Sequence, residues 1–128
     1  MPPRTQHWED KSELTEATGL VVIDLFNVDM RGRKFLTFKI LPTTQALTKC
    51  ELLGQVGFRD KTWVTLISTA AEWVAGAGML FGIEGGDLNI LAAGAPAWAI
   101  IEQTAFARLK LQVTAAGVGT ITYSYGAN

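Results

Sequence analysis

With 128 residues the chain has room for one domain, and Cys50, its only cysteine, excludes a disulfide framework and fits a reducing compartment or a particle assembled inside a cell. Eleven Lys and Arg against twelve Asp and Glu leave a formal net charge of −1, which argues against a nucleic-acid binder with a concentrated basic patch. Only 18% of residues are charged and 48% are hydrophobic, against roughly 25% charged in an ordinary domain, so part of the surface is expected to be apolar and covered by other subunits.

Residues 1–19 are the most charged stretch, with Arg4, Glu9, Asp10, Lys11, Glu13 and Glu16. Trp8 and Leu14 are their only large apolar groups. This composition predicts an extended arm, with at most a helical turn around Ser12–Ala17, ordered by a neighbour rather than by its own core. It carries no apolar signal-peptide core, so secretion by that route is not expected. The domain proper is expected over residues 20–128.

From Leu20 onward the texture changes to period-two alternation, the mark of strands. Val21, Ile23 and Leu25 oppose Val22, Asp24 and Phe26, and after the polar residues 27–32 the stretch Lys34–Leu41 alternates again. Pro42 ends that run, because it lacks the ladder's N–H. Gln45–Phe58 places Cys50, Leu52, Val56 and Phe58 on one face, with Gly54 as a bend or bulge. Arg59–Lys61 then turns the chain into Thr62–Thr69. Ala70–Gly78 is rich in Ala and Gly, with a helical turn conceivable at Thr69–Trp73. Met79–Ile83, Leu88–Leu91 and Trp98–Ile101 are short strand candidates. Phe106–Thr114 and Thr120–Tyr125 close the chain with clean alternation. About eight strands at this spacing, with no amphipathic helix between them, predict an all-β fold: an antiparallel, jelly-roll-like β-sandwich behind an N-terminal arm. Val64–Ile83 and Leu88–Ile101 are apolar, but glycines, Pro96 and short length read as strands and loops, not membrane spans.

Residues that carry chemistry are scarce. His7 is the only histidine and lies in the arm, which leaves no Ser–His–Asp or Cys–His arrangement in the domain. Cys50 alternates with Leu52 and Val56 and reads as a buried small hydrophobe. One Cys and one His cannot make a zinc site. Glu72, Glu84, Asp87 and Glu102 fall at loops and strand ends, where solvated acids are ordinary, and Gly82–Asp87 lacks the lysine of a phosphate loop. The expectation is no catalytic, cofactor or metal residue. The four tryptophans draw more attention. Trp63 sits mid-strand and is expected in the core, while Trp73 and Trp98 either cap a core or form an interface. Trp8, isolated in the arm, is the expected anchor into another surface, since tryptophan is enriched where interfaces are tightest. Trp8, Trp73 and Trp98 are therefore the candidate interface residues.

The hairpin Phe58-Arg59-Asp60-Lys61-Thr62-Trp63-Val64-Thr65-Leu66 resembles a segment common in small β-sandwich proteins of tailed-bacteriophage virions. The closing pair Phe106-Ala107-Arg108-Leu109-Lys110-Leu111-Gln112-Val113-Thr114 and Thr120-Ile121-Thr122-Tyr123 resembles those proteins too. The family in question is the capsid decoration, or cement, proteins, and the likeness covers about half the chain, from Gly57 onward. It implies a structural protein of the virion, assembled in the host cytoplasm. Such a protein binds the outside of the major capsid protein shell at capsomer junctions as a homodimer or homotrimer, with no nucleic acid or membrane partner. The alternative is a carbohydrate- or ligand-binding sandwich from a phage tail or receptor-binding component. That class would gather Trp73, Trp98, Tyr123 and Tyr125 on one exposed platform.

Overall fold

Wherever the sequence alternates, the backbone is extended, and nine antiparallel strands result among the described residues. They are β1 (His7–Thr15), β2 (Val21–Asp29), β3 (Phe35–Pro42), β4 (Leu47–Gln55), β5 (Trp63–Ile67), β6 (Leu80–Glu84), β7 (Ala97–Glu102), β8 (Arg108–Ala115) and β9 (Gly119–Ala127). The computed structural model describes residues 7–15, 21–42, 46–57, 59, 61–74, 76, 80–84, 88, 90–115 and 119–128. The fold is all-β, as the alternation predicts, and the described residues contain no helix.

The strands form two sheets, a five-stranded one in the order β1-β9-β3-β7-β6 and a four-stranded one in the order β2-β8-β4-β5. The order follows from a ribbon wound on itself. Early strands pair with late ones, β1 with β9, β2 with β8, β3 with β7 and β4 with β5. The pairs β3·β9 and β4·β8 then join the windings into sheets. β6 is added at the far side of β7.

Two features depart from the sequence reading. Residues 7–15, expected as a free arm, form β1 and pair with β9 from His7 opposite Ala127 to Thr15 opposite Gly119. An edge strand obtains its hydrogen bonds from one neighbour and needs no apolar stripe of its own, and charged residues are what guard such an edge from pairing further. Charge density therefore marked an edge strand rather than an arm. The helical turn around Ser12–Ala17 is absent over Ser12–Thr15, which are strand; residues 16 and 17 lie outside the described residues. The second departure is Leu88–Leu91. Its described residues make turns, with Leu88 and Leu91 buried and Ile90 exposed.

Inward-facing residues fill the space between the sheets. Leu36, Phe38 and Ile40 of β3 and Ala97, Ala99 and Ile101 of β7 meet Cys50 and Leu52 of β4 and Leu109, Leu111 and Val113 of β8, all essentially sealed from solvent. Burying each of the larger side chains contributes about 1.5–3 kcal/mol. A register shift at Asp24/Phe26 lets both Leu25 and Phe26 turn inward, which strict alternation would forbid. Phe26 there stacks on Tyr125 at 4.5 Å between ring centres. Gly54 is required by a close approach, since a Cβ at that position would lie 2.7 Å from the Phe106 ring.

Candidate docking surfaces

Each sheet turns one face to the core and one outward, and the two outward faces differ in chemistry. On the four-stranded sheet the pairing register aligns Asp24 and Asn27 of β2, Lys110 and Gln112 of β8, and Glu51 and Leu53 of β4. These side chains satisfy one another. Gln112 Nε2 donates to Asp24 Oδ1 at 2.9 Å, Arg108 donates to Asn27 Oδ1 at 3.1 Å, and Lys110 Nζ lies 3.6 Å from Asp24. Lys110 also sits 4.4 Å from the centre of the Trp63 ring. Trp63 is therefore not in the core, as its mid-strand position suggested. Its partner in register is Gln55, and the half-buried ring lies over the lysine and its charge.

The described side chains on the outward face of the five-stranded sheet are Phe35, Thr37, Lys39 and Leu41 of β3, Trp98, Ile100 and Glu102 of β7, and Thr120, Thr122 and Ser124 of β9, and register sets Asp10 of β1 opposite Ser124 and Glu84 of β6 opposite Trp98. Cross-strand register sets Thr37 between Ile100 and Gly126, and Lys39 between Trp98 and Ser124. Of the ten described side chains only Lys39 and Glu102 carry charge, and Glu102 is held 3.7 Å from Lys34 at one end. The remainder is apolar or hydroxylated and half-buried. Trp98 is opposite Glu84 of β6, and its ring reaches over Gly82, which pairs with Ile100 and carries no side chain. A Cβ on Gly82 would meet the indole at 2.6 Å, so glycine there is what admits the ring.

The candidate interface tryptophans thus have different fates. Trp98 is on the outward face just described. Trp73 is not at a surface; it is 2% exposed, meets Phe38 edge-on at 6.1 Å, and donates its indole N–H to the Cys50 carbonyl at 2.9 Å. That carbonyl belongs to β4, whose pairing with β5 reaches only from Gln55 to Leu52, so the indole stands in for a strand donor. The delivery is local. Thr69 and Glu72 form a reciprocal cap: the Thr69 carbonyl accepts from Glu72 N at 3.0 Å, and Glu72 Oε1 accepts from Thr69 N and Oγ1, both at 3.0 Å. These donors, joined by Ser68 N, hold the Glu72 carboxyl below the usual carboxylate range. The Thr69-x-x-Glu72 spacing was the sequence signal for this turn. Trp8 stands opposite Gly126 in β1, and its side chain lies outside the described residues.

The aromatic platform of the carbohydrate-binding alternative is not formed. Trp73, Tyr123 and Tyr125 are all buried, the tyrosines because β9 turns its odd-numbered residues inward, which leaves Trp98 alone outside. Cys50 is buried as expected, opposite Val113. Among the described residues no three His, Cys, Asp or Glu side chains gather as a metal site would require.

No protein family profile matches the chain, and no curated protein matches it. Among solved structures, the crystal structure of the SPBc2 prophage-derived protein YomS is similar, over 98% of each chain, at 12% identity and a TM-score of 0.48.

Proposed function

We propose that this chain is a non-enzymatic structural protein that docks on a larger protein assembly through the outward face of its five-stranded sheet. The observation that carries the reading is the composition of that face over β3, β7 and β9: Phe35, Leu41, Trp98 and Ile100 among threonines and a serine, with two charges among ten described side chains, beside a sister face whose charges are internally paired. Desolvating apolar and hydroxylated surface against a partner is favourable, whereas covering unpaired charges is costly. In its finer form the partner is the shell of a phage head, where the protein decorates capsomer junctions as a homodimer or homotrimer on the virion surface. The hairpin and closing-strand resemblance supports that form. The winding of the ribbon supports a jelly-roll reading of the fold: without β6, the sheet orders β1-β9-β3-β7 and β2-β8-β4-β5 are those that such a roll would give. A protein that binds only the assembled shell stabilises it by mass action, and repetition over many sites raises avidity without one very tight contact.

The test is co-sedimentation of the full chain with undecorated shells. Wild-type protein should pellet with shells. Ile100→Asp should abolish the attachment, and Trp98→Ala should weaken it about thirtyfold, the effect of truncating a central interface tryptophan at ~2 kcal/mol. Attachment of all three proteins at equal occupancy, or of none, would sink the reading.

A further inference from the structure

The near-neutral balance of the whole chain conceals an uneven placement of its cations. The register puts the β2–β3 turn, the β4–β5 connection and the start of β8 at one end of the sandwich, since Asp29 and Gln55 both pair with Arg108. Arg31, Arg33, Lys34, Arg59, Lys61 and Arg108 all belong to these segments, six of the eleven Lys and Arg in the chain. The carboxylates that these segments and their flanks carry are Asp29, Asp60 and Glu102.

A cleft of about 570 Å³ opens at the same end, between the turn 30–34 and the connection 103–107. Its lining includes Arg31, Arg33 and Lys34 and no carboxylate, while Met30, Val56 and Phe106 supply an apolar floor. Both walls are fixed. The turn is closed by Arg33 N donating to the Met30 carbonyl at 3.0 Å around Gly32, whose φ of 71° suits glycine. Met30 N donates to Ala107 O at 2.8 Å, and Gln103 N to Lys34 O at 3.0 Å, tying turn to connection. The buried Gln103 side chain clamps Phe106, accepting from its N at 2.7 Å and donating to its O at 3.3 Å. Arg33 is aimed by donating Nη1 to Ala127 O at 2.6 Å, Arg31 by Asp29 at 2.7 Å, and Lys34 by Glu102 at 3.7 Å.

We propose that this cleft is a docking site for an acidic segment of a partner polypeptide, with carboxylates on the Arg31, Arg33 and Lys34 rim and an apolar side chain seated over Phe106. Preformed walls reduce the ordering cost of binding, and guanidinium groups match carboxylates in a planar, two-pronged way. Polypeptide is favoured over nucleic acid because the floor offers a single aromatic ring, Phe106, beside aliphatic Met30 and Val56, and not a platform for stacking successive bases. The site is separate from the sheet face proposed above and can hold or fail independently of it.

The experiment is fluorescence anisotropy of the full chain with a short labelled peptide of alternating glutamate and leucine, at low salt. Saturable binding is expected, weakening steadily as salt is raised. Thr104→Glu adds a carboxylate at an exposed lining position that makes no side-chain contact essential to the walls, and should weaken binding by at least about tenfold. Arg31→Glu should do the same, and Lys49→Glu, toward the opposite end of β4, should leave binding within about twofold. The assignment is overturned if the glutamine version of the peptide binds equally well, if a folded Thr104→Glu protein binds at the wild-type level, or if labelled oligothymidylate of equal charge binds more tightly.

Discussion

At the middle of the four-stranded sheet's outward face, Lys110 reaches Asp24 and the Trp63 ring, and Gln112 hydrogen-bonds the same aspartate. At the middle of the five-stranded sheet's outward face, the corresponding row is Ile100, Thr37 and Gly126. Both faces are made by period-two strands over one shared core. The first spends its polar groups on one another and on water, and covering it would mean breaking or desolvating those pairs. The second has few such groups to lose. Among the described side chains, charge is scarcer on the strands β3, β7 and β9 than on the opposite face, and a composition average cannot reveal that.

The comparison can be tested most sharply through two tryptophans. Trp73→Ala should cost about 3–5 kcal/mol of stability in chemical denaturation, because it opens a cavity beside Phe38 and removes the indole donor to the Cys50 carbonyl. Trp98→Ala should change stability far less while weakening attachment. Equal stability losses would mean that Trp98 is a structural residue and that the face is not primarily a docking surface. Next in size, deleting residues 1–15 should lower the unfolding midpoint, since it strips β9 of one neighbour along its whole length. An unchanged midpoint would restore residues 7–15 to the status of an arm.

On the polar face, a double-mutant cycle with Lys110→Ala and Asp24→Asn should return a coupling below about 1 kcal/mol that shrinks as salt is added. A larger, salt-insensitive coupling would make that face a rigid network rather than a solvated one. The smallest effect is one of pH. Hydrogen bonds from the Arg31 side chain and backbone hold the Asp29 carboxyl down at about 2, from an ordinary 3.8. A depressed carboxylate contributes stability above pH 3.8 and loses that contribution as pH falls toward 2. An NMR titration of Asp29 should find the low midpoint, and Asp29→Asn should blunt the acid sensitivity of that window. Both groups are largely solvated, so the effect is modest.

Strand identity was readable wherever one face is buried, because burial imposes the alternation: Phe35–Pro42, Arg108–Ala115 and residues 120–125 follow it residue by residue. Edge position was not readable. β1 hides behind its charges because an edge strand is selected to look unlike a strand, and nothing local in 7–15 names β9 as its partner. The outward Trp98 and the buried Trp73 both lie in Ala- and Gly-rich sequence, so their roles turned on distant matters: the bare Gly82 beside one, and the Cys50 carbonyl awaiting the other. The cation-lined cleft was invisible for a similar reason. Arg31-Gly32-Arg33-Lys34 reads as an ordinary polar turn until the 103–107 connection is set against it.

The pairing of β1 with β9 also bears on how the chain acquires its structure. His7 and Ala127 are opposite one another, as are Val21 and Ala115, so the ribbon closes outward from its middle, where β4 and β5 are joined by a short connection. Pairings this distant in sequence are slow to find, and folds dominated by them form in milliseconds to seconds rather than microseconds. On a ribosome β1 is made well before β9, the strand it pairs with, and has no partner until β9 emerges. Its four charged residues, Glu9, Asp10, Lys11 and Glu13, then keep an unpaired segment soluble through that wait, at a time when a more apolar first strand would be free to pair with a neighbouring nascent chain.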